Sequence, residues 1–271
     1  MTPAARHIPG SDGLPALEVG EWAREKHFYL ARYLSIFAAG MKAKWPERVY
    51  IDLFAGPGRC RLKGTDVEIL GSPLLAIETK YGFTRYFFND QDPTFVEALK
   101  TRVAGCGGRR ITFLNQECNS AARTIAQSLP ENSLCLAFVD PFRWEITFDS
   151  LATLTQGRRM DLVITFHSGS IKRAAHSGPA ALHDFFGGPD WKVEYDRSRK
   201  SGRKEGTRIL LDCYESKLQS IGYQHYRDYV LVKNSRGTPL YHLVLASKHP
   251  RGQEFWDKVS DRDRDGQIRL L

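Results

Sequence analysis

Short apolar runs alternate along the chain with segments whose apolar residues return at near-helical spacing. The runs predict strands at 48–54, Arg85–Asn89, Ile111–Asn115, Leu134–Val139 and Asp161–Phe166. Two more, Tyr229–Lys233 and Leu240–Ser247, flank the turn Asn234-Ser235-Arg236-Gly237. From Val19 to Trp45 the residues Trp22, Phe28, Tyr29, Tyr33, Phe37 and Met41 predict one long helix, or two broken near Gly40. Ser72-Pro73 suits a helix start, with serine as cap and proline in the first turn; the helix runs to Tyr81. Further helices are predicted over Pro93–Val103, Ser120–Ser128, Phe148–Leu154 and Gly206–Ile221. Residues 1–17 read as a loose leader, Arg59–Gly71 as an irregular basic stretch, and the segment after Phe166 as a basic loop. Strands alternating with helices imply right-handed crossovers and an α/β fold with a mostly parallel seven-stranded sheet that ends in an antiparallel hairpin. The expected organisation is a leader and N-terminal helical extension over 1–46, one α/β domain over 47–260, and a frayed tail over 261–271.

Composition narrows this picture without changing it. A length of 271 residues suits one α/β domain with additions, and 42% hydrophobic with 26% charged residues suits a soluble globular protein. The apolar runs are too short to span a bilayer, and the N-terminus lacks a charged-then-apolar signal pattern. The five cysteines are odd in number and match neither a zinc site nor a disulfide framework, which suits reduced thiols in a cytoplasmic protein. A formal net charge of +8 favours an acidic partner such as nucleic acid.

The stretch Tyr50-Ile51-Asp52-Leu53-Phe54-Ala55-Gly56-Pro57-Gly58 carries apolar residues into an aspartate, then into a turn with alternate glycines. It reads as a buried strand ending where main chain meets a ligand closely, since glycine has no Cβ to clash. Ligands of open α/β sheets sit beyond the strands' carboxyl ends, where strand order reverses. Asp52 precedes the glycines and no third glycine follows at the helix-packing position. The spacing therefore departs from the dinucleotide fingerprint and favours a nucleoside with an amino-acid tail, such as S-adenosylmethionine. Asp52, Phe54, Ala55, Gly56 and Gly58 are the candidate contacts.

Acidic residues past the later strands extend the candidate site. Asp90 could accept both ribose hydroxyls, the role of an acid beyond the second strand of nucleotide-binding sheets. Asp92, before Pro93, is its rival and could instead cap the following helix. Glu117 could accept from an adenine amino group while Cys118 or a neighbouring N–H donates to the ring; alternatively, Asn119 caps a helix there and Glu117 is merely solvated. Phe138-Val139-Asp140-Pro141-Phe142 leaves a buried strand and cannot continue the sheet, because proline removes a ladder donor. This turn resembles the acidic-or-amide, proline, aromatic loop of enzymes that methylate exocyclic amines. Such a site works mainly by aligning nucleophile and methyl. The alternative is a plain strand-ending turn with Phe142 in the core.

Positive charge is expected to gather at the same edge of the sheet. Arg59, Arg61 and Lys63 follow the first strand, Arg143 the fourth, and Lys172 and Arg173 the fifth. The run from Arg197 to Lys204 lies in a connection from that edge, whereas Arg109-Arg110 and Arg158-Arg159 fall on the opposite one. A basic rim suits a phosphate-bearing substrate, and Trp144, Phe166, His167 and Trp191 could stack bases. A solvated basic surface on a small-molecule enzyme is the alternative. The candidate substrate contacts are Arg59, Arg61, Arg143, Trp144, Lys172 and Arg173. The gaps between His167, His176 and His183 match no metal-ligand pattern; neither a Gly-x-Ser-x-Gly elbow nor a phosphate-binding Gly-Lys-Ser/Thr loop occurs.

Taken together, these motifs resemble the three-Cys-motif partner proteins of bacteria and phages. The resemblance rests on Tyr50–Gly58 with Gly71-Ser72-Pro73, on Phe138–Phe142, and on Leu240–Ser247 leading into His249-Pro250-Arg251-Gly252 and Trp256. It spans roughly residues 22–260. It implies a Rossmann-like class I methyltransferase fold with S-adenosylmethionine as cofactor, while the histidine and cysteine spacing leads to no metal being expected. Carried over by position, Asp52, Gly56, Gly58 and Asp90 would bind the donor, and Asp140, Pro141 and Phe142 would face the acceptor. Arg143-Trp144 departs from the family, where a glycine more usually follows. The family's name refers to cysteines of a neighbouring protein, which implies an operon-encoded three-Cys-motif partner. The expected activity is methylation of a nitrogen on nucleic acid or a nucleotide-like compound. The alternative is a non-catalytic nucleic-acid-binding accessory protein that keeps the fold as a scaffold.

Overall fold

A computed structural model describes residues 7–201, 206–225 and 230–267. In chain order, its first half runs β1 (His7–Pro9), β2 (Pro15–Val19), α1 (Trp22–Met41), β3 (Arg48–Asp52), β4 (Arg59–Leu62), β5 (Glu68–Leu70), α2 (Ser72–Glu78), β6 (Arg85–Asn89), α3 (Pro93–Val103) and β7 (Arg110–Leu114). The second half runs α4 (Cys118–Ser128), β8 (Leu134–Val139), α5 (Phe148–Thr155), β9 (Arg159–Phe166), α6 (Ser168–Ala174), α7 (Ala180–Phe186), α8 (Asp190–Lys200), α9 (Gly206–Ser220), β10 (Val230–Lys233), β11 (Pro239–Ala246) and α10 (Pro250–Ser260).

Seven strands form the central sheet in the order β10-β11-β9-β8-β3-β6-β7. Only β11 runs against its neighbours; it lies between β9 and β10 and pairs antiparallel with both. This is the Rossmann-like class I methyltransferase fold, with the C-terminal hairpin that the turn at Asn234–Gly237 predicts. Strand order reverses between β3 and β8, which are themselves paired in parallel from Arg48↔Leu134 to Asp52↔Phe138. The near-continuous apolar character of the strands follows from burial on both faces. In β8, Cys135, Ala137 and Val139 enter one core with α4, α5 and α9, while Leu136 and Phe138 enter the other. That second core is aromatic: Tyr29, Tyr33 and Phe37 of α1 meet Tyr50, Tyr86 and Phe88 of the sheet and Trp256 of α10.

Several expectations are corrected. The described part of the expected leader, residues 7–17, is not loose: it falls in β1 and β2 of a second sheet, β1-β2-β4-β5, in which β2 pairs parallel with β4. The supposedly irregular stretch after Gly58 supplies β4 and β5 of that sheet. Its anchor is Arg102 of α3, only 4% exposed, which donates to both Asp12 carboxylate oxygens at 2.8 Å, to the Pro15 carbonyl at 2.7 Å and to the Pro57 carbonyl at 2.5 Å. Arg102 holds the Asp12 carboxyl down at about 2. Helix α1 is a single helix that packs on the sheet face. Gly40 does not break it; a Cβ there would come within 2.6 Å of the Phe255 ring on α10. The segment after Phe166 is three short helices rather than a loop. Gly71, not Ser72, is the cap of α2. Arg203 and Lys204 of the basic run, and Tyr229 at the start of the sixth predicted strand, lie outside the described residues.

Candidate active site

The turn after β3 is shaped by main-chain and carboxylate contacts from β6. Ala55 N–H donates to the Asn89 carbonyl at 2.8 Å, and Asn89 Nδ2 donates to the Leu53 and Gln116 carbonyls at 3.0 and 3.1 Å. Gly56 N–H donates to Asp90 Oδ2 at 2.8 Å, while Asp90 Oδ1 accepts from Asp92 N–H at 2.9 Å. Gly56 has φ +59° and Gly58 φ +91°, a region that side chains disfavour. A Cβ on Gly56 would meet nothing within 4 Å, so the main chain there presents an open face. At Gly58 the demand is packing: a Cβ would lie 2.9 Å from Leu99 and 3.2 Å from Leu74.

Phe54, Gly56 and Asp90 line a cavity of about 440 Å³, and Asp140, Pro141 and Phe142 line the same cavity from β8. Because β3 and β8 are neighbours at the reversal of strand order, the two turns meet at the crevice where α/β sheets bind ligands. The roof was not legible in the chain. It comes from β2 and α1, including Val19, Trp22 and Lys26. Lys26 reaches down to form an ion pair with Asp140 and lies 5.7 Å from the centre of the Tyr241 ring. Tyr241 in turn donates to the Trp22 carbonyl at 2.9 Å, tying α1 to β11. Burial alone would raise the Asp140 carboxyl, but the Lys26 ammonium outweighs it and holds the group below its ordinary value. Burial lowers the His167 imidazole, which keeps it neutral, and its buried Nε2 has no hydrogen-bond partner among the described residues. Phe142 is 53% exposed at the same wall and is not in the core.

Other predicted positions lie elsewhere. Asp52 sits beneath the turn, fully buried and off the cavity wall; it accepts from Phe54 N–H and Tyr50 Oη, each at 3.2 Å, and burial pushes its carboxyl up to about 7. Asp92 is the cap of α3, accepting from Thr94 N–H at 2.8 Å, and it also pairs with His7 at 2.7 Å. Glu117, and not Asn119, caps α4: it accepts from the Asn119 and Ser120 N–H groups and from the Cys118 thiol, so neither Glu117 nor Cys118 reaches the wall. Ala55 and Gly58 are also off the wall.

The basic rim contracts in the same way. Arg143 and Arg173 line the cavity, and Lys172 is exposed on α6 beside it. Arg59 and Arg61 do not reach it: both pair with Glu68 in the small sheet, and Arg59 also pairs with Asp12. Trp144 is half-buried against the core, with the Arg143 guanidinium 5.9 Å from its ring centre. Phe166 and Trp191 are core residues; Trp191 stacks on Phe186 at 4.9 Å and donates to His183 Nδ1 at 3.1 Å.

No protein-family model matches the chain, and no curated protein matches its sequence. Among solved structures it is similar to protein LPL1258 from Legionella pneumophila str. Philadelphia 1, of family-model DUF519, at 13% identity and a TM-score of 0.55, over 89% of this chain and 90% of that one. It is also similar to TYW2 of M. jannaschii in complex with AdoMet, at 10% identity and TM-score 0.46, covering 90% and 84% of the two chains. A third similarity is to the N-methyltransferase NodS of Bradyrhizobium japonicum WM9, at 12% identity and TM-score 0.42, covering 84% and 97%. The first likeness extends the shared fold over nearly the whole chain. Among the described residues no helix is long and apolar enough to cross a membrane.

Proposed function

We propose that this protein is an S-adenosylmethionine-dependent methyltransferase that modifies a nitrogen of a nucleic acid or a nucleotide-like compound. The observation that carries the reading is that the glycine turn after β3 and the Asp140-Pro141-Phe142 turn after β8 wall one cavity. The residues fit the cofactor: the open main-chain face at Gly56 suits the close approach of a nucleoside, and Asp90 offers a carboxylate beside it for ribose hydroxyls. When bound, S-adenosylmethionine supplies an electrophilic methyl on a cationic sulfur.

On the acceptor side, Asp140 is an ionised hydrogen-bond acceptor that can hold the hydrogens of an amine once Lys26 yields. The neutral His167 offers Nε2 for a proton shed by the nitrogen. Phe142 presents a half-exposed ring on which a base can stack, and Arg143 and Arg173 stand where phosphates would approach. Orientation is the main contribution of such a site. The resemblance to the three-Cys-motif partner proteins supports a cytoplasmic protein that acts beside an operon-encoded partner.

One observation favours a second reading, a non-catalytic nucleic-acid-binding scaffold: the carboxylate meant for an acceptor is already occupied by Lys26. Calorimetry with S-adenosylmethionine and S-adenosylhomocysteine, followed by incubation of labelled donor with RNA, DNA and small-molecule extracts, separates the two. The enzyme binds both ligands at micromolar levels and labels one fraction. Asp90→Ala weakens that binding, while Asp140→Asn keeps it and loses turnover. Absence of donor binding leaves the scaffold.

A further inference from the structure

At the far end of the same strands lies a second cavity, of about 470 Å³. It opens where β8 and β9 begin, at Leu134 and Arg159, and just past the end of β11, at Ser247. The six residues of β8 separate it from Asp140 by about 20 Å, at roughly 3.3 Å per residue. Its floor is apolar and aromatic: Phe37, Met41, Trp45, Met160 and Phe255. The segment His249-Pro250-Arg251-Gly252 forms one wall. A Cβ on Gly252 would lie 2.3 Å from Ser247 Oγ and 3.1 Å from Asp161 Oδ2, so only glycine lets α10 seat so close to β9 and β11.

Five lysines and arginines line this cavity against one carboxylate. That carboxylate, Asp161, is satisfied from within: Tyr33 Oη donates to it at 2.8 Å and Ser247 Oγ at 2.5 Å. Two of the cations are also engaged, Lys248 with the Thr155 carbonyl at 2.7 Å and Arg158 with the Pro130 and Ala126 carbonyls at 3.1 Å. The other three have no carboxylate partner among the described residues. Lys44 and Arg251 make no side-chain hydrogen bond there, and the Arg159 guanidinium rests over Trp45, 5.1 Å from the ring centre.

We infer that this cavity is a second binding site, for a nucleoside phosphate, with the base against the aromatic floor at Trp45 and the phosphate among Lys44, Arg159 and Arg251. Guanidinium groups without a carboxylate partner suit phosphate oxygens, aromatic faces suit bases, and the volume lies within the range of small-ligand sites. The ligand is either a free nucleotide or the phosphorylated end of a strand.

Calorimetry on the full chain, with S-adenosylmethionine in excess to mask the first cavity, tests this. AMP, adenosine, inorganic phosphate, oleate and a 5′-phosphorylated single-stranded oligonucleotide are compared. AMP binds, and adenosine and phosphate alone bind at least about ten-fold more weakly. Lys44→Ala with Arg251→Ala weakens AMP by about ten-fold or more while the thermal midpoint stays near wild type. A tighter oligonucleotide assigns the strand end; equal or weaker binding assigns the free nucleotide. The inference is overturned if AMP does not bind, if oleate binds in its place, or if AMP binding is indifferent to the double variant. The variants sit outside the first cavity, so this result stands whether or not S-adenosylmethionine binds at all.

Discussion

Replacing Lys26 with methionine removes an ammonium and keeps a long apolar stem, so the change isolates the charge facing Asp140. The side chains of the pair are 14% and 18% exposed. Deleting one member of a fully buried pair costs about 3–5 kcal/mol, and exposed pairs contribute about 0–1. With this residual exposure, Lys26→Met should cost about 2–3 kcal/mol near neutral pH. At about 2–4 °C per kcal/mol, the thermal midpoint should fall by roughly 5–10 °C. The pH dependence carries the diagnostic sign. In the wild type the Asp140 carboxyl sits below its ordinary value, so its contribution is present above that value and lost as pH falls through the lower one. In the variant the Lys26 ammonium, the largest influence lowering the carboxyl, is gone while burial remains, so the carboxyl rises and the folded state loses stability as pH climbs. The gap between the two proteins should therefore vanish in strong acid and be fully open near neutrality. Adding Asp140→Asn to Lys26→Met should recover most of the loss, because no unpaired carboxylate is left buried. Thermal melts of the four proteins across pH measure this. A pH-independent gap, or a double variant no better than the sum of the singles, would refute the reasoning.

Two further outcomes are expected. Gly58→Ala places a methyl 2.9 Å from Leu99 at φ +91° and should cost about 1–3 kcal/mol in denaturant unfolding. Asp52→Asn should flatten the pH dependence of stability. The folded carboxyl at about 7 binds a proton that the unfolded chain has released, so wild-type stability falls with rising pH by up to about 1.4 kcal/mol per unit between ordinary carboxylate values and neutrality. Asp161, raised to about 6, adds the same sign in both proteins, so the difference between their melts isolates Asp52.

The strands and the closing antiparallel hairpin were readable because their signals are local: apolar runs, Ser72-Pro73 and Asp92-Pro93 at helix starts, and a polar turn at Asn234–Gly237. The Asp140-Pro141-Phe142 turn was readable because proline has no N–H for the ladder and so cannot extend a central strand such as β8. Pairing between distant segments was not. Nothing in Pro15–Val19 says that its partner is Cys60–Leu62, nor that one arginine, Arg102, binds Asp12, Pro15 and Pro57 together. Capping also resisted reading, since Glu117 and Asn119 both suit the start of α4 and geometry gave the place to Glu117.

The chain alone thus determined where β3 and β8 break off into turns, because glycine's freedom at Gly56 and Gly58 and the missing N–H of Pro141 are properties of the residues themselves. Only the tertiary structure decided what those turns face. Asp140 meets Lys26 across 114 positions of sequence, and Arg59 and Arg61 are drawn off by Glu68. Charge partners are set by distance in space, and periodicity along a chain carries no record of it.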